Sequence, residues 1–288
     1  MELASWPQFD QNQIESVVKT LSSGKVNSWI GNETRLFEKE YSELFGTEFS
    51  IALANGSLAL SSAYRAIGLK EGDEIITTPR TFIATASSAV LMGVKTIFAD
   101  VDYDSGNITP ETVEPLINSR TKAISVVHLG GWPAEMETLS KLAKNNNLFL
   151  IEDCSQAHGA KIRKKSVGTF GDIATWSFCQ DKIISTGGEG GMITTNSKKY
   201  MEKIWSYKDH GKTIKAIEEQ KNKVGFKWLH EEFGTNFRMT ELQSSIGRAQ
   251  LKLLPKWSSI RKRNALILKE TLQDLNCLRI PLPNEDYE

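Results

Sequence analysis

Residues 151–195, IEDCSQAHGAKIRKKSVGTFGDIATWSFCQDKIISTGGEGGMITT, decide the fold of this chain. The apolar run LFLI at 148–151 ends in Glu152 and Asp153, as expected of a buried parallel strand that carries an acid at its carboxyl end. A second predicted strand, IATWSF at 173–178, leads into Lys182. Because ligands bind at the carboxyl ends of strands in open α/β sheets, we expect Asp153 and Lys182 to face a common crevice.

An acid and a lysine at two strand ends favour an electron-sink cofactor. Pyridoxal phosphate needs a lysine for its imine, a carboxylate that keeps its ring nitrogen protonated, and amide donors for its phosphate. Each residue also has a simpler interpretation: Asp153 as the cap of the segment after the strand, and Lys182 as a solvated surface group. If Lys182 lies in the crevice, its amine can act as a nucleophile and later as a proton shuttle.

From residue 51 onward, predicted strands alternate with predicted helices. The strands cover residues 51–54, 74–78, 96–100, 123–127, 148–153, 173–178 and 191–195. Helical stretches at 57–68, 81–92, 110–117 and 135–145 separate the first five. Helix-bridged crossovers of this kind predict an α/β fold with a mostly parallel seven-stranded sheet and helices on both faces. The connection before the last strand is short and rich in glycine, so we expect that strand to run antiparallel.

Helical spacing also occurs on both sides of this core. Further helices are predicted at 14–21, 34–45, 198–209, 239–254 and 256–275, with Pro255 separating the last two and Thr240 as a cap. Residues 214–228 are expected to form a loop or an irregular helix, and residues 277–281 to start a strand whose partners are absent. We therefore expect a large α/β domain with an N-terminal helical arm over 1–250, and the incomplete start of a small C-terminal domain over 251–288.

The composition is typical of a soluble globular protein, with 40% hydrophobic and 24% charged residues. Lys plus Arg and Asp plus Glu both total 35, and nothing resembles the basic footprint of a nucleic-acid-binding protein. The opening MELASWPQFDQNQ is unlike a signal peptide, and no apolar stretch approaches membrane-spanning length, so we expect a cytoplasmic protein without membrane contact. The three cysteines lack CxxC spacing, so neither disulfides nor a zinc site is predicted.

Several residues near strand ends have two interpretations each. Gly56 and Ser57 begin a helix after a strand, where they either present amides to a phosphate or form an ordinary βα turn with Ser57 as the N-cap. Phe82 either stacks on a planar cofactor or packs in the core. The glycines of GGEGG at 187–191 either cradle a phosphate or form a tight turn before the last strand. His210 is interpreted structurally, as part of a helix end.

A metal site is also considered, because Glu152, Asp153, Cys154 and His158 carry ligand-type side chains. Neighbouring residues on a strand point to opposite faces, so Glu152 and Asp153 cannot easily chelate one ion together. We expect His158 to be a hydrogen-bonded pocket residue instead. No metal is therefore predicted.

Six motifs, in this order, extend the argument beyond single residues. They are NGSLAL (55–60), GDEIITTPRTFIATASSAV (72–90), EDCSQAHGA (152–160), SFCQDKIISTGGEGGMITTN (177–196), KDHGK (208–212) and FGTNFRMTELQSSIGRAQL (233–251). Together they closely resemble the nucleotide-sugar aminotransferases of the DegT/DnrJ/EryC1/StrS family, which have the aspartate-aminotransferase fold (fold type I) of pyridoxal-phosphate enzymes. The resemblance extends from about residue 24 to residue 257.

The resemblance implies a role for each matching residue. Lys182 would form the imine and shuttle the proton, Asp153 would pair with the pyridinium nitrogen, and Gln156 would bond to the ring hydroxyl. Phe82 would stack on the ring. The remaining roles are divided between phosphate contacts and pocket or substrate-side candidates: Gly56, Ser57, Ser177 and Asn236 for the phosphate, with Asn236 supplied by the partner subunit, and His158, Glu189, His210 and Arg238 for the pocket or substrate side.

By resemblance, L-glutamate loads the cofactor and a nucleotide-linked keto-6-deoxy sugar accepts the amine. SFCQDK and GFKWLHEEFGTNFRMTE look most like members that aminate the sugar 4-position, giving 4-amino-4,6-dideoxyhexoses for O-antigen or related surface glycans. A homodimer with shared active sites is the expected unit. Relatives that act as dehydratases carry histidine in place of the lysine, and Lys182 argues against that chemistry.

Family members continue past the point where this chain stops. We therefore expect a catalytic set that is complete but a C-terminal domain that is not. Two alternatives stay open: a 3-aminotransferase or another sugar enzyme of the same family, and a truncated protein that binds the cofactor or a sugar without catalysis.

Overall fold

The computed structural model of the protein describes residues 5–220 and 222–287. Its centre is a seven-stranded sheet in the order β1-β9-β8-β5-β4-β2-β3. The strands of this sheet are β1 (Phe49–Leu53), β2 (Glu74–Thr77), β3 (Lys95–Phe98), β4 (Thr121–Val127), β5 (Phe149–Asp153), β8 (Ile173–Ser177) and β9 (Gly191–Thr195). A separate hairpin, β6 (Lys161–Ile162) and β7 (Lys165–Ser166), was not predicted.

The topology confirms the predicted architecture. Neighbouring strands from β3 to β8 pair in parallel, whereas β9 runs antiparallel to both β8 and β1. Each of the seven strands lies within two residues of its predicted start. The glycine-rich connection from β8 to β9 is therefore a reversal rather than a crossover, and it returns the chain to the same end of the sheet.

Helices cover both faces of the sheet. They are α1 (Gln11–Ser22), α2 (Glu33–Phe45), α3 (Gly56–Ala66), α4 (Ala84–Val90), α5 (Pro110–Val113), α6 (Met136–Asn145), α7 (Lys198–Lys208), α8 (Ile214–Glu219) and α9 (Glu241–Leu272). On one face α3, α4 and α7 pack on side chains such as Ile151 and Ile173. On the other, α2 and α9 cover Trp176 while α5 and α6 cover Leu150. Successive residues of each strand therefore enter opposite cores.

The long helix α9 corrects one prediction. Thr240 is its N-cap as expected, with a capping box to Gln243, but the helix continues through Pro255 instead of ending there. A proline inside a helix removes one hydrogen bond, at a cost of about 3 kcal/mol. Leu254 before the proline and Trp257 after it both pack on the core under α2, and this packing on either side keeps the helix continuous.

Three other local predictions differ from the structure. Asn55, rather than Ser57, is the N-cap of α3, because its side chain accepts a hydrogen bond from the amide of Leu58. Residues 277–281 form no strand, and the nearest pairing is an isolated bridge between Ile162 and Tyr287. Residues 214–228 are partly helical, since α8 ends at Glu219. The predicted domain division after residue 250 falls inside α9 and stays a prediction.

The N-terminal arm, residues 5–45 with helices α1 and α2, is attached to the core by charged side chains of α9. Glu241, which is fully buried, accepts hydrogen bonds from the amides of Glu33 and Thr34 and so caps α2, whose own N-cap makes no side-chain bond. Arg248 binds the carboxylates of Glu40 and Glu33, which raise its pKa.

In the described part of the chain, no helix has the length and apolar character needed to cross a membrane.

Candidate active site

Asp153 ends β5 on the face covered by α3 and α4. It is 4% exposed, and its two carboxylate oxygens accept hydrogen bonds from different donors. The hydroxyl of Thr85 lies 2.8 Å from Oδ2, and the amide of Ser155 lies 3.1 Å from Oδ1. The Thr85 carbonyl in turn accepts a bond from the hydroxyl of Tyr64, which also contacts Ser125. Asp153 is thus a fixed carboxylate at the carboxyl end of a central strand, and its bond from the Ser155 amide also caps the segment that follows the strand.

Glu152 points to the opposite face, as the pleat of the strand requires. It accepts bonds from the amides of Gly168, Phe170 and Gly171 at 2.7–2.8 Å, and from Nε2 of His128 at 3.2 Å. Burial opposes ionisation, but the bond from His128 and the amides outweigh it and lower the pKa of Glu152. Glu152 therefore holds the loop before β8 in place.

His128, Glu152 and Cys154 bring potential ligand atoms within 4.8 Å of one another, in the buried region under β5. The sequence analysis did not include His128 in its candidate cluster. Nδ1 of His128 accepts a hydrogen bond from the amide of Ala134, and Nε2 donates one to Glu152. Both ring nitrogens are therefore engaged in hydrogen bonds within the protein. Burial raises the pKa of Cys154, which keeps its sulfur a neutral thiol. These contacts describe a structural network.

The first turn of α3 offers unused amide donors beside the end of β8. The side chain of Asn55 accepts a hydrogen bond from the amide of Leu58, and its carbonyl accepts one from the amide of Ala59. The amides of Gly56 and Ser57 have no partner among the described residues. A Cβ atom on Gly56 would lie only 2.7 Å from Cβ of Ser177. Free amides at the start of an 11-residue helix, with a serine hydroxyl close by, suit a phosphate.

Lys182 lies in the loop that joins β8 to β9. Its side chain is 16% exposed, so it is not the solvated surface group of the simpler interpretation, and its Nζ lies 3.3 Å from Oδ2 of Asp181. The glycines after it form a turn: Gly187 and Gly188 have φ values of +86° and +118°, and the Gly188 carbonyl accepts the amide of Gln180. A Cβ on Gly191 would lie 2.3 Å from the carbonyl oxygen of Asn55. The turn interpretation of this segment is therefore favoured over the phosphate cradle.

Phe82 and Gln156 lie on neighbouring loops at the same end of the sheet. Phe82 is 67% exposed, which removes the core-packing interpretation, and its carbonyl accepts the amide of Thr85. Its ring is therefore available one turn away from the residue that holds Asp153. Gln156 is half-buried, and its Oε1 accepts the amide of Gly130 at 2.8 Å, which leaves its amide group free for a ligand.

His158 lies beneath the site rather than in it. It is 2% exposed and packs against the rings of Trp176 and Phe178. Its Nε2 donates to the carbonyl of Ser177 at 2.9 Å, and its Nδ1 accepts from the hydroxyl of Tyr41 at 3.2 Å. Both nitrogens are occupied inside the core, which agrees with the expected hydrogen-bonded residue and favours support of Ser177 over a substrate-side role for His158.

The remaining candidates surround the end of β1. Glu189 is exposed, and its carbonyl accepts a bond from the side chain of Gln243. His210 is exposed at the end of α7, with a φ of +59°. The guanidinium of Arg238 is paired with the buried Asp209 at 2.8 Å, so this charge is bound within the chain. Substrate-side roles for these residues stay predictions.

Asn236 belongs to a short extended segment that lies against the end of β1. The amide of Ala54 donates to the carbonyl of Phe237 at 2.9 Å, and Arg238 forms a bridge with Leu53. The side chain of Asn236 is exposed. It therefore faces away from its own core, and a phosphate contact across a subunit boundary stays a prediction.

The assembled groups fit pyridoxal phosphate. A helix start with two unused amides can hold the phosphate, the buried Asp153 carboxylate can bind the ring nitrogen, and the exposed Phe82 ring can cover one face of the cofactor. Lys182 follows the strand that carries Ser177, and its positive charge is near enough to influence His158. These candidate groups thus follow the carboxyl ends of β1, β2, β5 and β8.

Sequence reasoning missed the residues that orient these groups. Thr85 lies in the first turn of α4, three residues after Phe82, and this helical spacing could have indicated that it lies on the same side. Tyr41 and Tyr64 gave no such signal, because a buried tyrosine in a helical pattern is indistinguishable from any other core residue. Their partners are distant in sequence and are known only from the fold.

The environment of His158 leads to a prediction about pH. Burial first, and then the charge of Lys182, lower the pKa of His158 from 6.5 to about 4, although the bond to Ser177 opposes this change. Between these values the unfolded chain binds a proton that the folded protein does not. The free energy of unfolding should therefore fall as the pH drops, with a contribution from His158 of about 2 kcal/mol between pH 7.5 and 5.

NMR of the imidazole ring provides the measurement. We expect the His158 Cε1 proton to keep its neutral chemical shift down to pH 5, and a His158→Asn variant to lose part of the acid sensitivity seen in urea unfolding. A titration midpoint for His158 above pH 6 would contradict the described environment.

Comparison with known proteins agrees with this site. Residues 7–287 match the model of the DegT/DnrJ/EryC1/StrS aminotransferase family. A GDP-perosamine synthase of Escherichia coli O157:H7 is 37% identical over 269 residues, which cover 93% of this chain and 71% of that protein. A UDP-N-acetyl-3-dehydro-alpha-D-glucosamine 3-aminotransferase of Acidithiobacillus ferrooxidans is 36% identical over 252 residues, covering 88% of this chain and 65% of the relative.

A solved structure shows the same fold along the whole chain. The aminotransferase from Psychrobacter cryohalolentis superimposes with a TM-score of 0.98 at 46% sequence identity, covering 100% of this chain and 75% of that one. The fold and the family match both agree with the resemblance found in the sequence. The chain therefore belongs to the DegT/DnrJ/EryC1/StrS aminotransferase family of pyridoxal-phosphate-dependent enzymes.

Proposed function

We propose that the protein moves the amino group of L-glutamate to the keto carbon of a nucleotide-linked 4-keto-6-deoxy sugar, giving a 4-amino-4,6-dideoxy sugar nucleotide for O-antigen or another surface glycan. The proposed chemistry is supported by three observations: the buried Asp153 carboxylate at the end of β5, Lys182 in the loop that follows β8, and the free amides of Gly56 and Ser57 at the start of α3. The preference for 4-amination is supported by the similarity to the GDP-perosamine synthase.

Each residue would have a separate task. When bound, pyridoxal phosphate supplies an electron sink that stabilises the charge left on a substrate carbon when its proton departs. Gly56, Ser57 and Ser177 would anchor the phosphate, and Asp153 would keep the ring nitrogen protonated. Lys182 would hold the cofactor between reactions and carry the proton during them, because a primary amine can serve first as nucleophile and then as base.

A second candidate is amination at the sugar 3-position. It is favoured by the Acidithiobacillus ferrooxidans relative, whose name specifies a 3-aminotransferase. The two candidates share the cofactor, the donor and Lys182, and differ only in which sugar carbon is placed over the cofactor. A cytoplasmic location remains part of the proposal.

Two measurements test the proposal in sequence. L-glutamate should abolish the visible absorption band of the protein loaded with pyridoxal phosphate, and Lys182→Ala should lack the band from the start. Lys198→Ala is the matched control, because this exposed lysine on α7 pairs with Glu202, also exposed, and its loss should leave the band unchanged. Persistence of the band after glutamate addition would contradict the proposed amino donor.

The position of amination is then decided by the product. With L-glutamate and a GDP-linked 4-keto-6-deoxyhexose, we expect NMR to show nitrogen on C4. Turnover of a 3-keto sugar nucleotide alone would favour the second candidate and reject the first.

We also propose a homodimer with shared active sites. The exposed side chain of Asn236 supports it, as does an apolar stripe on α1 formed by Ile14, Val18 and Leu21, which are 49%, 56% and 59% exposed. Light scattering should give a molar mass near twice 32.2 kDa. A monomer that binds the cofactor at full affinity would contradict the shared site.

A further inference from the structure

The loop that carries Lys182 forms hydrogen bonds with side chains of other segments at Lys182, at Ser185 and, at its far end, at Glu189. We define the lysine loop as residues 179–189. Within it, the Lys182 amide donates to the Cys179 carbonyl, and the Thr186 hydroxyl donates to the Glu189 carbonyl. The carbonyl of Lys182 and the amide of Ser185 instead find their partners on other segments. These two groups lie at and just beyond the candidate catalytic residue.

Trp6 holds the first of these positions. Its indole Nε1 donates to the carbonyl of Lys182 at 2.9 Å, across 176 residues of sequence. Its ring packs edge-on against Trp257 of α9, with centroids 5.0 Å apart, and the guanidinium of Arg261 lies 4.9 Å from its centroid. Contacts with α9 therefore fix the orientation of the indole that donates to the loop.

Gln250 holds the second position. Its Oε1 accepts the amide of Ser185 at 2.7 Å, and its Nε2 donates to Oε1 of Gln13 at 2.9 Å. Gln250 and Gln13 are 0% and 2% exposed, so neither side chain can exchange its partner for water. The Ser185 amide can only donate, which fixes the orientation of the Gln250 side-chain amide and, through it, the Gln13 oxygen that it meets.

Both contacts join the same two structural elements to the loop. The N-terminal arm supplies Trp6 and Gln13, and α9 supplies Gln250 together with Trp257. A buried amide or carbonyl without a partner is costly, so the loop can leave this position only if these hydrogen bonds break together. Side chains of the arm and of α9 thus form hydrogen bonds to the main chain on both sides of residues 183 and 184, at the Lys182 carbonyl and the Ser185 amide.

We propose that Trp6, Gln13 and Gln250 are positioning residues that fix the Lys182 main chain, and through it the direction of the Lys182 amine toward the cofactor. None of the three has its side chain among the cofactor-binding candidates. Their relevance to catalysis rests on the proposed role of Lys182. The hydrogen bonds that join Trp6, Gln13 and Gln250 to one another or to the lysine loop, which we call the clamp, are present in the cofactor-free chain and can be measured there.

Hydrogen exchange of the cofactor-free protein tests the clamp directly. Trp6→Phe keeps the ring and removes the indole N–H, and Gln250→Leu removes both side-chain bonds. We expect the amides of residues 182–186 to exchange about tenfold faster in each variant, since one net hydrogen bond contributes roughly that factor. Amides of β4, far from the loop, should keep their rates. Gln11→Leu is the control, because the side chain of this exposed glutamine of α1 donates to Glu15 on the same helix and is not bonded to the lysine loop in the described part of the chain.

Cofactor binding separates positioning from a general loss of structure. Pyridoxamine 5'-phosphate has the phosphate and ring of pyridoxal phosphate but no aldehyde to bond with Lys182. In Trp6→Phe and Gln250→Leu we expect the Kd of pyridoxal phosphate to rise about tenfold and that of pyridoxamine 5'-phosphate to change less than twofold. A merely structural defect would raise both values equally and would overturn the proposed positioning role.

The remaining outcomes distinguish the clamp from the proposed function. Unchanged exchange at residues 182–186 in both variants would reject the clamp, whatever the enzyme does. Faster exchange in the variants, combined with a wild-type protein whose lysine never bonds to pyridoxal phosphate, would support the clamp and reject the proposed role of Lys182.

Discussion

The site depends on the alternation of two adjacent carboxylates at the end of β5. Glu152 and Asp153 point to opposite faces because successive residues of a strand do so. Glu152 accepts hydrogen bonds from three loop amides and from His128. Asp153 accepts them from the Thr85 hydroxyl and the Ser155 amide. Glu152 therefore stabilises the chain that leads into β8, while Asp153 lies on the face covered by α3 and α4. A shift of one position in the register would exchange the two environments.

The antiparallel strand β9 provides the second constraint. Because the chain reverses after β8, the lysine loop stays at the carboxyl edge of the sheet instead of crossing to the other end. Gly191 starts β9 so close to Asn55 that a side chain there would collide with the turn before α3. The turn before α3, with its free amides, is thus packed against the start of β9. A site built from strand ends in this way depends on the sheet for its geometry, and the arm and α9 then fix the remaining freedom of the loop.

Much of this could be predicted from the sequence, for physical reasons. Apolar runs bounded by polar residues locate buried strands, so all seven strands, the parallel topology and the reversal before β9 followed from the chain alone. The positions of Asp153, Gly56 and Lys182 followed from strand ends. Ser57 was assigned as a cap wrongly because Asn55 and Ser57 are both good N-caps, and only geometry decides between them.

The failures have a common origin in long-range packing. Pro255 does not end its helix because Leu254 and Trp257 are held by the core on either side of it. The sequence left His158 open as a pocket or a substrate-side residue, because a histidine next to a catalytic motif is indistinguishable in sequence from one buried beneath it. Trp6 and Gln250 gave no signal, since their partners in the lysine loop are 176 and 65 residues away. Sequence periodicity describes elements, whereas these contacts arise only when the elements meet.

The most direct test of the central claim is to locate the lysine that bonds to the cofactor. The protein loaded with pyridoxal phosphate would be reduced with borohydride, digested, and analysed by mass spectrometry. If the sheet edge forms the active site, a single pyridoxyl group should be found on Lys182, and Lys182→Ala should carry none. A label spread over surface lysines, or found on another single lysine in the wild type, would contradict the placement of the active site at the ends of β5 and β8.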